Sequence, residues 1–255
     1  SSSSSVPRGF VAVGNEGTIV KSTDNGSSFD NVTSPGGWDL GGVVFGNTTL
    51  VAVGQAGVVF SSTDNGSTWN KWMDWVNSSH FNGVTFGNDI FVAVADDGII
   101  IRSTNGSTWN NVTSLTANAN HIIGVTFGNN TFVAVGYSGN IIRSTDNGSS
   151  WDNATSPTAN DLRGVTFGNN TFVAVGASGN IFRSTDNGSS FDNATSPTAN
   201  DLSGITFANN TFVAVGDYIV RSTDNGSSFD NATSGTNHLV GANHLQGVGF
   251  GNNTF

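Results

Sequence analysis

The sequence contains no cysteine, one methionine and few charged residues, which make up 10% of its 255 positions. Without cysteine the chain forms neither disulfides nor thiolate metal sites, so its stability must come from packing. No hydrophobic stretch is as long as a membrane helix and no signal peptide is recognisable, so membrane insertion is not expected. There are 8 Lys and Arg against 18 Asp and Glu, and the net charge of −10 opposes binding to nucleic acid.

One five-residue motif recurs along the chain. Phe-Val-Ala-Val-Gly or a close variant begins at Phe10, Leu50, Phe91, Phe132, Phe172 and Phe212, and Phe255 has the same register. Short β-rich units with a period of about 40 residues cannot bury their apolar faces alone, so neighbouring units must stack. The pattern predicts an all-β fold, a six-bladed β-propeller with four-stranded antiparallel blades.

The unit at residues 162–201 indicates how a blade is built. Runs of Val, Thr, Ile and Phe predict strands A, B and C at 164–167, 171–175 and 181–184, and strand D begins at Phe191. Asn and Gly lie between the strands, where turns need positive φ. Strand B at Phe10 comes first in the chain, and a strand A at 245–251 comes last. We therefore expect the C-terminal strand A to join the N-terminal strands B to D, closing one propeller over 10–255 behind a Ser-rich tail at 1–9.

The turn between strands C and D carries a second motif. The run from Ser144 to Trp151, Ser-Thr-Asp-Asn-Gly-Ser-Ser-Trp, resembles the Asp-box (BNR repeat) of sialidase-like β-propellers, S-x-D-x-G-x-x-W. The resemblance implies that the boxes are structural: the carboxylate accepts turn amides and the aromatic ring packs under the hairpin. Asn105 replaces the Asp in a box that is one residue shorter, so this turn should be tighter and less well satisfied. The structural box residues are Asp24, Asp64, Asp146, Asp186, Asp224, Trp69, Trp109 and Trp151.

The residues that sialidase activity requires are missing. The resemblance implies an arginine cluster and a Tyr–Glu pair, but the only Glu is Glu16, and Tyr137 and Tyr218 belong to different repeats. The arginines recur at one repeat position, so they are spread around the ring and cannot converge on one carboxylate. No acidic pair stands out for glycoside hydrolysis. The sequence predicts a protein that is not an enzyme and has no cofactor and no metal.

Candidate ligand-binding residues gather at the end of the propeller that carries the B-to-C turns and the D-to-A loops. Trp72 and Trp75 could stack on a sugar there, although filling gaps between blades is the alternative. A ring that could bind an ion, or titrate near neutral pH, is formed by the residues three positions before the Gly of each strand A. In the alternative, each side chain caps a loop of its own or the adjacent blade, because blade spacing keeps the six apart. The ring consists of Asp39, His80, His121, Asp161, Asp201 and His244.

Sequons for N-glycosylation, N-x-S/T, are frequent. Those in the A-to-B turns are expected to carry glycan more fully than the box Asn residues, whose turns are tight. Glycans on a surface with little charge point to an extracellular or cell-surface protein. The candidates are Asn31, Asn47, Asn111, Asn129, Asn153, Asn169, Asn193, Asn209, Asn231 and Asn252.

Two functions agree with these features. The first is a non-enzymatic structural or adhesive surface module that associates with itself, as in a filament, or with other surface proteins. An ordered tail at residues 1–5 would favour such self-association. The second is a lectin-like or assembly-factor-like binding propeller, with glycans among its partners. The phrase Gly-x-Ile-x-x-Ser-Thr-Asp-x-Gly also resembles photosystem assembly-factor propellers, although the basic patch expected of those is absent.

Overall fold

The strands form six antiparallel sheets in a computed structural model of the protein, which describes residues 9–74, 79–112, 121–232 and 245–249. Five sheets have four strands each and one has three. This confirms the predicted all-β, six-bladed propeller. We number the sheets as blades 1 to 6 in chain order. Within each blade, strands A to D follow one another in space from the axis outward, and blade 1 contains strands B to D.

The strand bounds repeat from blade to blade. Blade 1 contains β1 (Phe10–Val13), β2 (Ile19–Ser22) and β3 (Asp30–Val32). Blade 2 contains β4 (Leu40–Gly46), β5 (Thr49–Gly54), β6 (Val58–Ser62) and β7 (Asn70–Asp74). Blade 3 contains β8 (Phe81–Gly87), β9 (Ile90–Ala95), β10 (Ile100–Ser103) and β11 (Asn110–Asn111).

Blades 4 to 6 have the same plan. Blade 4 contains β12 (Ile122–Gly128), β13 (Thr131–Gly136), β14 (Ile141–Ser144) and β15 (Asp152–Asn153). Blade 5 contains β16 (Leu162–Gly168), β17 (Thr171–Gly176), β18 (Ile181–Ser184) and β19 (Asp192–Asn193). Blade 6 contains β20 (Leu202–Ala208), β21 (Thr211–Gly216), β22 (Ile219–Ser222) and β23 (Asp230–Asn231). Single 3-10 turns connect strands B and C at Asn15–Gly17, Gln55–Gly57, Asp96–Gly98, Tyr137–Gly139 and Ala177–Gly179. None of the helical turns in the described ranges is long and apolar enough to cross a membrane.

Strand B of blades 2 to 6 is buried on both faces because it lies between two neighbouring blades, whereas β1 of blade 1 is only partly buried. In β17, Val173 and Val175 pack against blade 6, whereas Phe172 and Ala174 pack against blade 4. All four side chains are 0% exposed. Successive residues of a strand point to opposite faces, so a strand packed on both sides is apolar at every position.

A glycine at the end of strand A allows adjacent blades to approach closely. A β-carbon on Gly168 would lie 2.0 Å from the ring of Phe207, in the next blade. Because a β-carbon and a ring cannot overlap at that distance, Gly is required at position 168; blade 6 has Ala208 at the equivalent position. The A-to-B turns also have the positive φ that their Asn residues favour, as at Asn129 (47°) and Asn130 (58°).

The C-terminal segment 245–249 continues the ring beside blade 6. The Leu245 amide donates to the Gly216 carbonyl at 3.2 Å, just as the Leu40 amide donates to Gly14 at 3.0 Å. The described residues do not include a ladder between this segment and β1, so that pairing stays a prediction. Phe29 of blade 1 is 47% exposed, whereas its counterpart Phe191 is 3% exposed, so blade 1 is packed on this side less tightly than blade 5. Residues 1–8 and 250–255, and the expectations for the tail and for Phe255, lie outside the described residues.

Candidate functional site

The Asp-boxes form closed hydrogen-bonded turns. In blade 5, Asp186 Oδ1 accepts from the Ser184 hydroxyl at 2.8 Å and the Ser190 amide at 3.0 Å, and its Oδ2 accepts from the Ser190 hydroxyl at 2.6 Å. The buried Ser184 Oγ in turn accepts from the Gly188 amide at 2.9 Å. The same bonds recur at Asp24, Asp64, Asp146 and Asp224. The box carboxylates therefore stabilise the hairpin between strands C and D.

The hydrogen bonds lower the pKa values of these carboxyl groups. Bonds from Ser28 and Ser22 hold the pKa of Asp24 at about 2. Partial burial raises the pKa of Asp146, but bonds from Ser150 and Ser144 outweigh it and hold the pKa at about 2. The pKa of Asp64 is also lowered, first by the bond from the Thr68 hydroxyl. These groups stay ionised because the turn stabilises the carboxylate form.

The box of blade 3 keeps most of these contacts without a carboxylate. Asn105 Oδ1 accepts from the Ser103 hydroxyl at 3.1 Å and from the Ser107 and Thr108 amides at 2.9 Å. What it lacks is the second oxygen, which in the other boxes accepts a hydroxyl. Beneath the box turns, the indole nitrogens of Trp69 and Trp109 donate to carbonyls of their own turns at 3.2 and 3.3 Å, and the Trp151 ring is also buried.

Sequon residues connect adjacent blades at the box end. Asn129 Nδ2 donates to Asn187 Oδ1 at 3.2 Å, and Asn187 Nδ2 donates to the fully buried hydroxyl of Thr131 at 2.6 Å. Asn225 donates to Thr171 in the same way at 2.8 Å. The Thr of these A-to-B sequons therefore has a structural role, which sequence analysis missed. The Asn residues of all the candidate sequons except Asn252 are exposed, and Asn252 lies outside the described residues.

The aspartates of the predicted ring cap loops of the preceding blade, as in the alternative interpretation. Asp39 Oδ1 accepts from the Glu16 amide at 2.7 Å. Asp161 and Asp201 accept from the amides of Ser138 and Ser178, each at 2.9 Å. Each bond connects two blades, so a structural role accounts for these three side chains. No group of three metal-ligating side chains occurs within the described ranges.

The histidines of the ring differ from the aspartates. His121 Nδ1 lies 2.8 Å from Asp96 Oδ1, which also accepts from Asn82 Nδ2 at 2.9 Å. Burial raises the pKa of Asp96, but the bonds from Asn82 and His121 outweigh it, and the pKa lies below its usual value. The His121 ring lies 5.3 Å from the ring of Tyr137. His80 is exposed, and His244 lies outside the described residues.

One cavity of about 560 Å³ opens at the loop end, on the propeller axis. We call it the axial mouth. It is lined by Tyr137 and by the residue immediately before the Gly of strand A in every blade, including the predicted inner strand of blade 1. These six residues are Gly41, Asn82, Ile123, Arg163, Ser203 and Gln246. Because residues from all blades meet in one cavity, the blades surround a common axis.

A β-bulge brings these residues to the mouth. In blade 5 the A–B register shifts between Leu162 and Gly164, leaving Arg163 as the extra residue, and blades 2, 3, 4 and 6 have the same shift. A bulge redirects a side chain out of the regular alternation. Sequence analysis chose the ring two residues earlier and missed this one. The available signal was that six different residues occupy this position.

A groove of about 360 Å³ runs along the top of blade 4. It is lined by the B-to-C turn that begins at Tyr137, and by Asn153, Ala154, Ser156 and Thr158 from the outer strand and the loop after it. Tyr137 lines both this groove and the axial mouth. The two cavities are therefore neighbours, with an aromatic residue between them.

The prediction for Trp72 was wrong about its place. Trp72 lies in β7 at the outer side of blade 2, not on a loop, because this outer strand extends as far as Asp74. Its ring is 48% exposed, and its Nε1 donates to Ser61 Oγ at 2.5 Å. The next residue towards the N-terminus, Lys71, places its Nζ 3.8 Å from the ring centre of Trp38. Trp72 does not line the mouth, and Trp75 lies outside the described residues.

Solved structures with a similar fold are known. YCF48 bound to D1 peptide matches with a TM-score of 0.69 and 17% identity, over 88% of this chain and 77% of that one. YCF48 from Cyanidioschyzon merolae matches with a TM-score of 0.68 and 16% identity, over 90% and 82%. The computationally designed Ika8 protein matches with a TM-score of 0.69 and 15% identity, over 94% and 74%. At these identities the likeness establishes the β-propeller fold. No family model and no curated protein matches the sequence.

Proposed function

We propose that the protein is a non-catalytic binding propeller that holds a segment of a partner protein at the axial mouth. The observation that carries the proposal is the variety of the six residues that line this cavity. They occupy one repeat position in strands that are otherwise nearly identical. Since Gly41 and Ser203 fit the same place as Ile123 and Arg163, folding does not require these side chains, and they are available for recognition.

The similar structures support a binding role by analogy. One of them is YCF48 bound to D1 peptide, so a propeller of this kind can hold a peptide. Three aspartates near the mouth already have structural partners, since Asp161 and Asp201 cap loops and Asp96 is bonded to Asn82 and His121.

Selection from a random peptide library displayed on phage tests the proposal. The mouth variant combines Asn82→Ser, Ile123→Ser and Arg163→Ser, since Ser203 occupies the same position in blade 6. The control variant combines Thr145→Ser, Thr185→Ser and Thr223→Ser in exposed positions of the boxes. Peptides selected by the native protein should bind the mouth variant at least about tenfold more weakly and the control variant equally well. Equal binding to the mouth variant, or no enrichment at all, would overturn the proposal.

The second candidate is an extracellular, glycosylated structural or adhesive module of the Asp-box type. It is favoured by the exposure of the sequon Asn residues and by the recurrent box turns. Glycopeptide mass spectrometry on protein from its original source tests the location, and light scattering on the same material tests self-association. We expect glycan first at the outer-strand residues Asn153 and Asn193, since the amide of Asn129 is bonded to the next blade. Bare sequons and a monomer would leave no support for this candidate.

A further inference from the structure

We propose that the partner segment is an extended peptide carrying Lys or Arg, which leaves the axial mouth across Tyr137 and follows the groove of blade 4 to the rim. The inference rests on the proposed function and specifies its partner. The two cavities are continuous, because Tyr137 lines both of them, and the groove reaches Asn153 on the outermost strand. Adjacent strands are about 4.8 Å apart, so the path across four strands covers about 15 Å, the length of about five extended residues.

Tyr137 is the natural anchor on this path. Its side chain is 41% exposed although it lies between two cavities. The equivalent B-to-C position in the other blades holds Asn15, Gln55, Asp96, Ala177 and Asp217. Ala177 indicates that the turn needs no aromatic residue, so folding does not explain Tyr137. Tyrosine is one of the residue types enriched among the hot spots of protein interfaces.

The charges around the mouth select a cationic partner. Arg163 is the charged residue that lines the mouth, and its guanidinium is 2.8 Å from Asp201. Seven carboxylates whose side chains are described lie around it at the loop end. These carboxylates are Glu16, Asp39, Asp96, Asp97, Asp161, Asp201 and Asp217. An excess of carboxylates around a cavity concentrates cationic ligands there, and a tyrosine face attracts ammonium and guanidinium groups. The groove itself offers uncharged hydroxyls and amides from Ser138, Asn140, Asn153, Ser156 and Thr158, which suit a peptide backbone.

Fluorescein-labelled decapeptides of Gly and Ser that carry three Arg, three Glu or no charge test the chemistry. Fluorescence anisotropy at low ionic strength should give at least about tenfold tighter binding for the Arg peptide than for the Glu peptide, and added salt should weaken it. Tyr137→Ala should weaken binding of the Arg peptide roughly five- to thirtyfold, while Tyr137→Phe keeps it. Gln55→Ala, the same turn position in blade 2, should leave it unchanged.

A single cysteine tests the path, since the chain has none of its own. Asn153→Cys carrying a photo-crosslinker at the outer end of the groove should crosslink to the bound Arg peptide. The control is Asn193→Cys, the equivalent residue in blade 5. Equal crosslinking from both positions would overturn the path along blade 4.

Different results would disprove the binding function of the mouth and the cationic peptide along blade 4. If library peptides depend on the mouth residues but are neutral or acidic, or do not respond to Tyr137→Ala, the inference is wrong and the binding function stands. If no library peptide depends on the mouth residues, the binding function is wrong and the inference that rests on it is wrong as well.

Discussion

The two ends of the propeller follow different rules. At the box end the same residues recur in most blades, with blade 3 and its Asn105 as the exception. Their polar atoms are bonded within one turn or to the next blade, as Ser184 is to Gly188 and Asn187 to Thr131. At the loop end the strand frame is the same, but the residues that line the mouth differ from blade to blade.

The contrast teaches how to interpret a repeat within one chain. Positions that recur, such as Gly168 against Phe207, are those on which packing or turn geometry depends. Positions that vary, such as Arg163 and its counterparts, are those that the fold leaves free. Substitutions at the two ends should therefore have opposite effects: large on stability and small on binding at the box end, and the reverse at the loop end.

The largest expected loss of stability comes from opening the ring, which would affect both ends of the propeller. The mouth exists only if six inner strands surround one axis. Removing residues 245–255 takes away Gln246 and uncovers the side of β20 around Gly204. We expect the free energy of unfolding to fall by about 3 kcal/mol or more, the scale of losing a packed apolar element. Urea unfolding followed by tryptophan fluorescence measures this, with removal of residues 1–8 as the control. Equal stability of the truncated and full chains would contradict ring closure.

The next largest effect is expected at the box end. Ser184→Ala leaves the Gly188 amide without its acceptor in a buried place, and should lower the free energy of unfolding by about 2 kcal/mol. Asp186→Asn should cost less, since Asn105 makes the same amide contacts in blade 3. Thermal unfolding of both variants gives the ranking, and an effect of Asp186→Asn larger than that of Ser184→Ala would contradict it.

Acid should weaken the box end in a defined range. The box carboxyls have lowered pKa values in the folded protein, about 2 for Asp24, Asp146 and Asp224, against about 3.9 in an unfolded chain. Their contribution is therefore complete above pH 4 and is lost as the pH falls towards 2, because the unfolded chain binds protons first. Urea unfolding at several pH values should give this decline, and Asp224→Asn should make it shallower. A stability that does not change between pH 4 and pH 2 would be inconsistent with these bonds.

A smaller effect is expected where adjacent blades meet at the box end. Thr131→Val removes the hydroxyl that Asn187 donates to, at similar volume, and should cost about 1 kcal/mol. Thr131→Ser keeps both the hydroxyl and the sequon, and should cost less. Protein made in bacteria, without glycans, separates the two roles of this residue. If Thr131→Val were neutral there, the sequon and not the hydrogen bond would explain the Thr.

The smallest effect on stability is expected at the loop end. The variant with Asn82→Ser, Ile123→Ser and Arg163→Ser should unfold within about 1 kcal/mol of the native protein. The positions are half-buried, and the bonds that are lost, from Asn82 to Asp96 and from Arg163 to Asp201, are partly open to solvent and contribute little. Differential scanning calorimetry checks this on the same preparation that is used for peptide binding. A loss comparable to that of Ser184→Ala would mean that the mouth residues support the fold, and the contrast between the ends would disappear.

Much of this architecture was predictable because the short segments of strand B and the boxes each indicate it by their own residue pattern. A run such as Phe-Val-Ala-Val at 172–175 is apolar on both faces, and only a strand between two sheets buries both. The capping role of Asp161 was an alternative in the sequence interpretation, and the bond to Ser138 bears it out. The place of Trp72 was predicted wrongly, because outer strands are short elsewhere and nothing local indicates that β7 extends to Asp74.

By itself the sequence determined the number of blades, the order of strands and the turns, because each depends on residues near one another in the chain. Asn and Gly adopt the positive φ that the turns need, and successive side chains of a strand alternate between its two faces. Only the tertiary structure decided which residues meet at the axis. Arg163 reaches the mouth through a bulge, whose register depends on pairing with strand B, and its neighbours there come from other blades far away in sequence. Contacts across a ring arise from the curvature of all six sheets together, and no local pattern encodes that curvature.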